Sequence, residues 1–217
     1  TFNCANELSK TLCTINIKKQ NYELIISDGG SIDDTIEVAV SHGARIVKSK
    51  KSRGSQLAAG ANIANGDWFL FLHADTQLGL GWKTIVTRYV NSPKNYFKAA
   101  YFIFGLDDPS SKARCLEKWV KWRCKLFSLP FGDQGLLVNR QFYNLLGGFS
   151  SIPLMEDVDL VTRIRSSRLK QLPIIATTSA KKYRKEGYLL RSLRNFFCLV
   201  LYFTGVSPTG LLKLYND

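Results

Sequence analysis

Apolar positions along this chain change spacing from one stretch to the next, and the changes mark its elements. Leu8, Leu12 and Ile15, with Cys4, fall on one side of a helix over Asn3 to Lys19. Tyr22 to Ser27 reads as a strand that runs into an acidic, glycine-rich turn, Asp28 to Thr35. Ser31 or Asp33 can cap the helix expected over Asp34 to His42. A second strand spans Ala44 to Val47, then a basic loop, Lys48 to Gly54, enters a helix from Ser55 to about Asn65. Trp68 to Leu72 is an uninterrupted apolar run of strand length, the pattern of a strand buried on both faces, and it ends in His73-Ala74-Asp75.

The second half continues with a helix over Leu80 to Asn91, a strand over Ala99 to Phe104 and a helix over Ser110 to Phe127. That last helix is rich in Lys and carries Trp119 and Trp122, which are expected to serve core or interface packing. Gly132-Asp133-Gln134-Gly135 forms a turn before a short strand, Leu136 to Asn139. Gly147-Gly148-Phe149 closes the next helix, and Met155-Glu156-Asp157-Val158 opens another. Repeated alternation of strand and helix in the first half predicts an α/β fold with a mostly parallel central sheet flanked by helices. A helical tail from Lys181 follows, basic at first and apolar over Phe196 to Phe203.

The chain has 217 residues, 45% of them hydrophobic, which suits one domain with a sizeable core. Its net charge of +13 calls for an anionic partner: a nucleotide, an anionic lipid surface or nucleic acid. Nucleic acid is not expected, because no interleaved aromatic and basic motif for single strands is present. The five cysteines are widely spaced without a CxxC pair, which points to free thiols in a reducing cytoplasm rather than zinc or a disulfide framework. No apolar run reaches the length of a membrane span, but the cationic tail has the composition of a helix lying on an anionic membrane; packing on the domain is its other reading.

Candidate chemistry sits where strands end. Ligands of open α/β sheets bind beyond the carboxyl ends of strands, and Asp28 and Asp75 both stand there. A carboxylate at that place can hold a hard divalent cation, which in turn holds a diphosphate. The basic loop before the third helix suits a phosphate at a helix N-terminus. Glu156 and Asp157 at a helix start are either dipole-favoured caps or a positioned base for a hydroxyl.

Five stretches in this order resemble the family 2 glycosyltransferases of the GT-A fold: Ser27 to Thr35, Arg53 to Gln56 with Gly60 and Asn62, Phe71 to Thr76, Gly132 to Gly135, and Glu156 to Val158. The chain is also similar to the short bacterial branch described as radical-SAM/selenodomain-associated transferases. The resemblance implies an inverting transfer of a sugar from a nucleotide-diphosphate sugar to a hydroxyl acceptor. Asp28 and Gly30, with Arg53 and Gln56, would hold the nucleotide, and Asp75 with His73 a divalent metal, Mn²⁺ or Mg²⁺. Gly132, Asp133 and Gln134 would line the acceptor side, and Asp157, next to Glu156, would be the base. Residues 1–105 would form the donor half of a single domain, 106–180 the acceptor half and 181–217 the tail. The tail suggests a lipid-linked acceptor and an enzyme peripheral to the membrane, and the free thiols place that enzyme in the cytoplasm as an expectation. A non-catalytic nucleotide-sugar-binding module and a nucleotidyltransferase on a related fold are the alternatives. Against the family's pattern, His73 stands where many members have the first acid of the DxD motif, and Gly29 where many have a second Asp. The strand that usually precedes the stretch at Thr1 is not in this sequence.

Overall fold

The computed structural model describes residues 1–15 and 22–216. Helix α1 (Ala5–Ile15) turns Leu8, Thr11, Leu12 and Ile15 inward, the spacing of one helical face; residues 16–19, expected to continue it, lie outside the described residues. Strand β1 (Ile25–Asp28), α2 (Thr35–Ser41), β2 (Arg45–Lys48), α3 (Arg53–Ile63) and β3 (Trp68–Phe71) follow the expected alternation. Asp33, not Ser31, satisfies the helix starts, accepting from the Thr35 N–H at 3.1 Å and the Ala5 N–H at 3.2 Å. Arg53 lies inside α3 rather than in the loop before it.

The later elements are β4 (Thr76–Leu78), α4 (Trp82–Val90), β5 (Ala99–Leu106), α5 (Ser111–Phe127), β6 (Leu136–Asn139), α6 (Arg140–Leu145), α7 (Glu156–Arg163) and β7 (Leu169–Thr178). The tail forms α8 (Lys181–Glu186), α9 (Tyr188–Phe203) and α10 (Pro208–Asn216). Two strands escaped the pattern reading. β4 has three residues, too few to show a period, and β7 carries Pro173 in its middle. Pairing of β7 with β5 is in register up to Phe102–Leu172 and resumes at Ile103–Ile175, so a bulge absorbs the proline that lacks an N–H for the ladder.

The α/β class holds, but the sheet is not mostly parallel. β1 and β2 pair in parallel as a two-stranded sheet, and a five-stranded sheet runs in the order β3-β6-β5-β7-β4. Within it only β5 and β7 are parallel; β6 is antiparallel to β3 and β5, and β4 to β7. Hydrophobic spacing reports which faces of a strand are buried and carries nothing about its direction. The first half's alternation therefore did not extend to the second.

Helices cover both faces of this sheet. Leu8, Leu12, Val86, Phe102 and Leu137 join one core cluster; Phe69, Val138, Phe142 and Leu160 join another. The tail packs back on the domain, with Cys198 and Leu211 buried against Leu154, Val158 and Val161 around α7. Trp119 and Trp122, expected in the core or at an interface, are not in the core: they are 72% and 60% exposed, because the inner face of α5 is already filled by Ala113, Val120 and Cys124.

Gly54 shows how tightly α3 seats on the loop before α7. A Cβ there would overlap the Ser150 carbonyl oxygen and come within 2.9 Å of the Ile152 oxygen, both of them backbone atoms. Gly54→Ala is expected to lower the unfolding free energy by about 1–3 kcal/mol in denaturant titration, despite the better helix propensity of alanine.

Candidate active site

The site begins with a strand that runs out of apolar residues. β3 ends at Phe71, and the chain turns through Leu72 to Asp75, closed by the Thr76 N–H on the His73 carbonyl at 3.1 Å. α1 fixes this turn from outside, since the Thr11 hydroxyl donates to the Ala74 carbonyl at 2.8 Å. His73 and Asp75 thereby face a cleft of about 140 Å³, which Arg53, Asp133 and Asp157 also line. Five of the residues singled out from the sequence thus meet in one place.

Asp157 is held on both oxygens. The Gly132 N–H donates to Oδ2 at 2.6 Å and the Val158 N–H to Oδ1 at 2.7 Å. Each carboxylate oxygen retains acceptor capacity after one such bond. Gly132 has no spare room: a Cβ there would overlap His73 Nε2 and approach Asp157 Oδ2 to 3.3 Å. His73, Phe131 and Asp157 separate the main cleft from a small apolar cavity walled by Leu57, Phe71, Leu136 and Phe149. Burial, then the positive charge of Arg53, lowers the His73 pKa against the pull of Asp75 and Asp157, which keeps the imidazole neutral and able to act as a ligand.

Asp75 has no hydrogen-bond or ion-pair partner among the described residues, so its carboxylate is left to the cleft. Asp133 is different: burial pushes its pKa up to about 6, opposed by Arg123 and reinforced by Asp157 and Asp75. Its Oδ1 is buried without a partner. Gln134 does not line the cleft. Its amide donates to the Phe102 carbonyl at 3.1 Å and accepts from Arg123 at 3.2 Å, so it anchors the turn to β5 and α5.

Asp28, Gly30 and Gln56 form a separate cluster around Thr1. Asp28 accepts from the N–H groups of Gly30 and Ser31, both at 2.8 Å, from the Ser31 hydroxyl at 2.5 Å and from the Thr1 hydroxyl at 3.1 Å. Burial opposes its ionisation, but these bonds outweigh it and hold the carboxyl below the usual range. Gln56 donates to the Thr1 carbonyl at 2.6 Å. Gly29 is accounted for here, since a Cβ would lie 3.1 Å from Gln56 Nε2 and 3.2 Å from Lys51 Cα.

The far wall of the cleft comes from the tail: Lys182, Tyr183, Arg191, Asn195 and Tyr215. Arg191 is buried, pairs with Glu186 at 2.7 Å and donates to the Tyr215 hydroxyl at 2.8 Å, so one guanidinium ties α8, α9 and α10 together. Sequence reasoning missed this wall because it read the tail as lying on anionic lipid or packing on the domain, and neither reading pointed its cations at the site. The available signal was Arg191 itself, the cation standing on the face opposite the apolar stripe of α9.

The family model described as glycosyl transferase family 2 matches residues 1–143. The chain belongs to that family. Among solved structures, this family 2 chain is similar to glucosyl-3-phosphoglycerate synthase from Mycobacterium tuberculosis in complex with Mn²⁺, UDP-glucose and phosphoglyceric acid. The TM-score is 0.55 at 16% identity, over 82% of this chain and 67% of that one. It is also similar to mannosyl-3-phosphoglycerate synthase from Rubrobacter xylanophilus, with a TM-score of 0.55 at 14% identity over 90% of this chain and 71% of that one. A search of curated proteins gives no match. At these identities the likeness is one of fold, and it makes this family 2 chain a GT-A domain.

Glu156 precedes the candidate base but does not line the cleft. Only 1% of it is exposed, and neither carboxylate oxygen has a hydrogen-bond partner among the described residues. Burial, then the charge of Asp157, pushes its pKa up to about 8 against the pull of Arg53. The ordinary value is 4.5, so between these limits the folded protein holds a proton that the unfolded chain has released. Raising the pH through that window destabilises the fold, and the loss levels off above the upper limit. Glu156→Gln is expected to flatten the fall of the melting temperature between about pH 5 and pH 8, measured by calorimetry at several pH values.

Proposed function

We propose that the protein is an inverting, metal-dependent glycosyltransferase that moves a sugar from a nucleotide-diphosphate sugar to a hydroxyl acceptor, with Asp157 as general base. One observation carries this reading. Asp157 is oriented by two backbone N–H groups and shares its cleft with an unpartnered Asp75. Asp157 would take the proton of the acceptor hydroxyl as its oxygen attacks the anomeric carbon from the face opposite the diphosphate. The nucleoside diphosphate departs with the bonding pair, and the configuration inverts.

Asp75 and His73 would hold the metal. Among the described residues no group of three or more His, Cys, Asp or Glu side chains is placed to bind a metal ion. A two-residue site still fits, because diphosphate oxygens and water complete the shell of a hard cation. Imidazole beside carboxylate favours Mn²⁺ over Mg²⁺. When bound, the metal neutralises charge developing on the leaving diphosphate. Mn²⁺ and UDP-glucose occupy the similar synthase, which supports a donor of this class here.

The cluster of Asp28, Gly30 and Gln56 would shape the nucleotide end, with Arg53 turned toward the cleft. Gly132 and Asp133 would face the acceptor, with Gln134 bracing their turn from behind. Of the helices that wall the cleft, α9 turns leucine and phenylalanine side chains outward, which supports a lipid-linked acceptor and an enzyme at the membrane face.

Calorimetric titration of a nucleoside-diphosphate panel with and without Mn²⁺ tests the donor site. Metal-dependent binding of at least one member, lost in Asp75→Ala, is expected; binding indifferent to metal and to Asp75 would overturn it. Once a donor is known, Asp157→Asn is expected to lower the turnover of donor hydrolysis or transfer about 10²–10⁴-fold with donor affinity retained.

A further inference from the structure

Two helices of this chain are amphipathic twice over. The inner face of α5 is buried, yet its opposite face carries Trp119, Trp122 and Leu126, one helical stripe, with Phe127 beside it, all 60% exposed or more. The inner face of α9 buries Arg191 and Cys198, while Leu189, Leu193, Phe196, Val200 and Phe203 run along its outer side. α5 and α9 pack against each other, and Tyr188 at the start of α9 joins the core cluster beneath α5. The two outer stripes thus lie on helices that touch each other. Apolar exposure of this extent marks an interaction site.

The charge around it identifies the partner. α5 carries Lys112, Arg114, Lys118, Lys121, Arg123 and Lys125 against Glu117 alone. α8 adds Lys182 and Lys185, exposed and in no ion pair among the described residues; Lys181 and Arg184 pair with Glu7, Asp107 and Asp108, and Arg191 and Arg194 turn inward to Glu186. Lys112, Lys118, Lys121 and Lys125 are exposed and in no ion pair among the described residues. By helical geometry Lys118 and Lys125 border one edge of the tryptophan stripe and Lys112 the other.

We infer that the outer faces of α5 and α9 dock together on an anionic lipid bilayer. Tryptophan favours the headgroup level, and lysines flanking an apolar stripe extend toward anionic headgroups while their stems stay with the acyl boundary. No described helix is long and apolar enough to cross a membrane, so these lie in its plane. A second copy of the chain would bring two rims of the same sign together; an anionic bilayer supplies the opposite charge. Lys182, Tyr183, Arg191 and Asn195, on α8 and α9, wall the cleft, so docking holds the acceptor side of the site at the membrane. The inference gives the membrane reading above a defined surface, and it is independent of the donor chemistry.

Co-sedimentation and tryptophan emission with vesicles of phosphatidylcholine, with or without phosphatidylglycerol, test it at low and high salt. The wild type is expected to bind only the anionic vesicles, with a blue shift and with affinity falling as salt rises. Lys118→Gln and Lys125→Gln are each expected to weaken binding about fivefold, and Trp119→Ser with Trp122→Ser to abolish the blue shift. Melting temperature and nucleoside-diphosphate titration of the same variants separate lost docking from lost folding and from a failure of the donor site. Absence of vesicle binding, equal binding to neutral vesicles, or a wild-type dimer dissociated by the tryptophan variant would each overturn the inference.

Discussion

The hydrogen bond from the Gly132 N–H to Asp157, 2.6 Å long, joins the parts of the site that come from distant stretches of chain. Gly132 belongs to the turn between α5 and β6, and Asp157 to the first turn of α7. The contact closes only because residue 132 has no side chain, for a Cβ would strike His73 at the end of β3. Three elements are therefore held at mutual distances set by backbone, and backbone dipoles aimed at a carboxylate need no reorganisation when charge shifts. Gln134 secures the same turn from behind through Phe102 and Arg123, and the guanidinium of Arg123 also lies 3.4 Å from the centre of the Phe131 ring.

Around this contact the cleft crowds carboxylates together, with Arg53, Lys182 and Arg191 as the cations on its walls. Asp75, Asp133 and Asp157 line it, with Glu156 immediately behind. The raised pKa values of Asp133 and Glu156 register that crowding together with desolvation. Such an arrangement is costly in an empty fold and becomes favourable when a cation enters. Arg53 moderates it from the start of α3, while Asp28 and Gln56 are satisfied within their own cluster and shape the loop instead.

The C-terminal helices work on both sides. Inward, Arg191 fastens α8 and α10 and helps wall the cleft, and Tyr202 reaches Asp159 on α7 at 3.4 Å. Outward, α9 exposes leucine and phenylalanine. A helix whose polar face is buried over a site and whose apolar face is bare is the reverse of an ordinary surface helix.

From the sequence by itself came the element types, the α/β class, the family resemblance and the loops that carry chemistry, because each rests on local spacing or on a short motif. Leu136 to Asn139 was legible to the residue. β4 and β7 were not, since a three-residue strand has no period and a proline interrupts the other. Strand direction was also hidden, because burial patterns are blind to it, and so were the exposure of Trp119 and Trp122 and the split of the site residues between the cleft and the Thr1 cluster. Only tertiary structure decided those, along with the use of the tail as a cleft wall. Each depends on which distant surface reaches a face first, and composition along one segment holds no record of that competition.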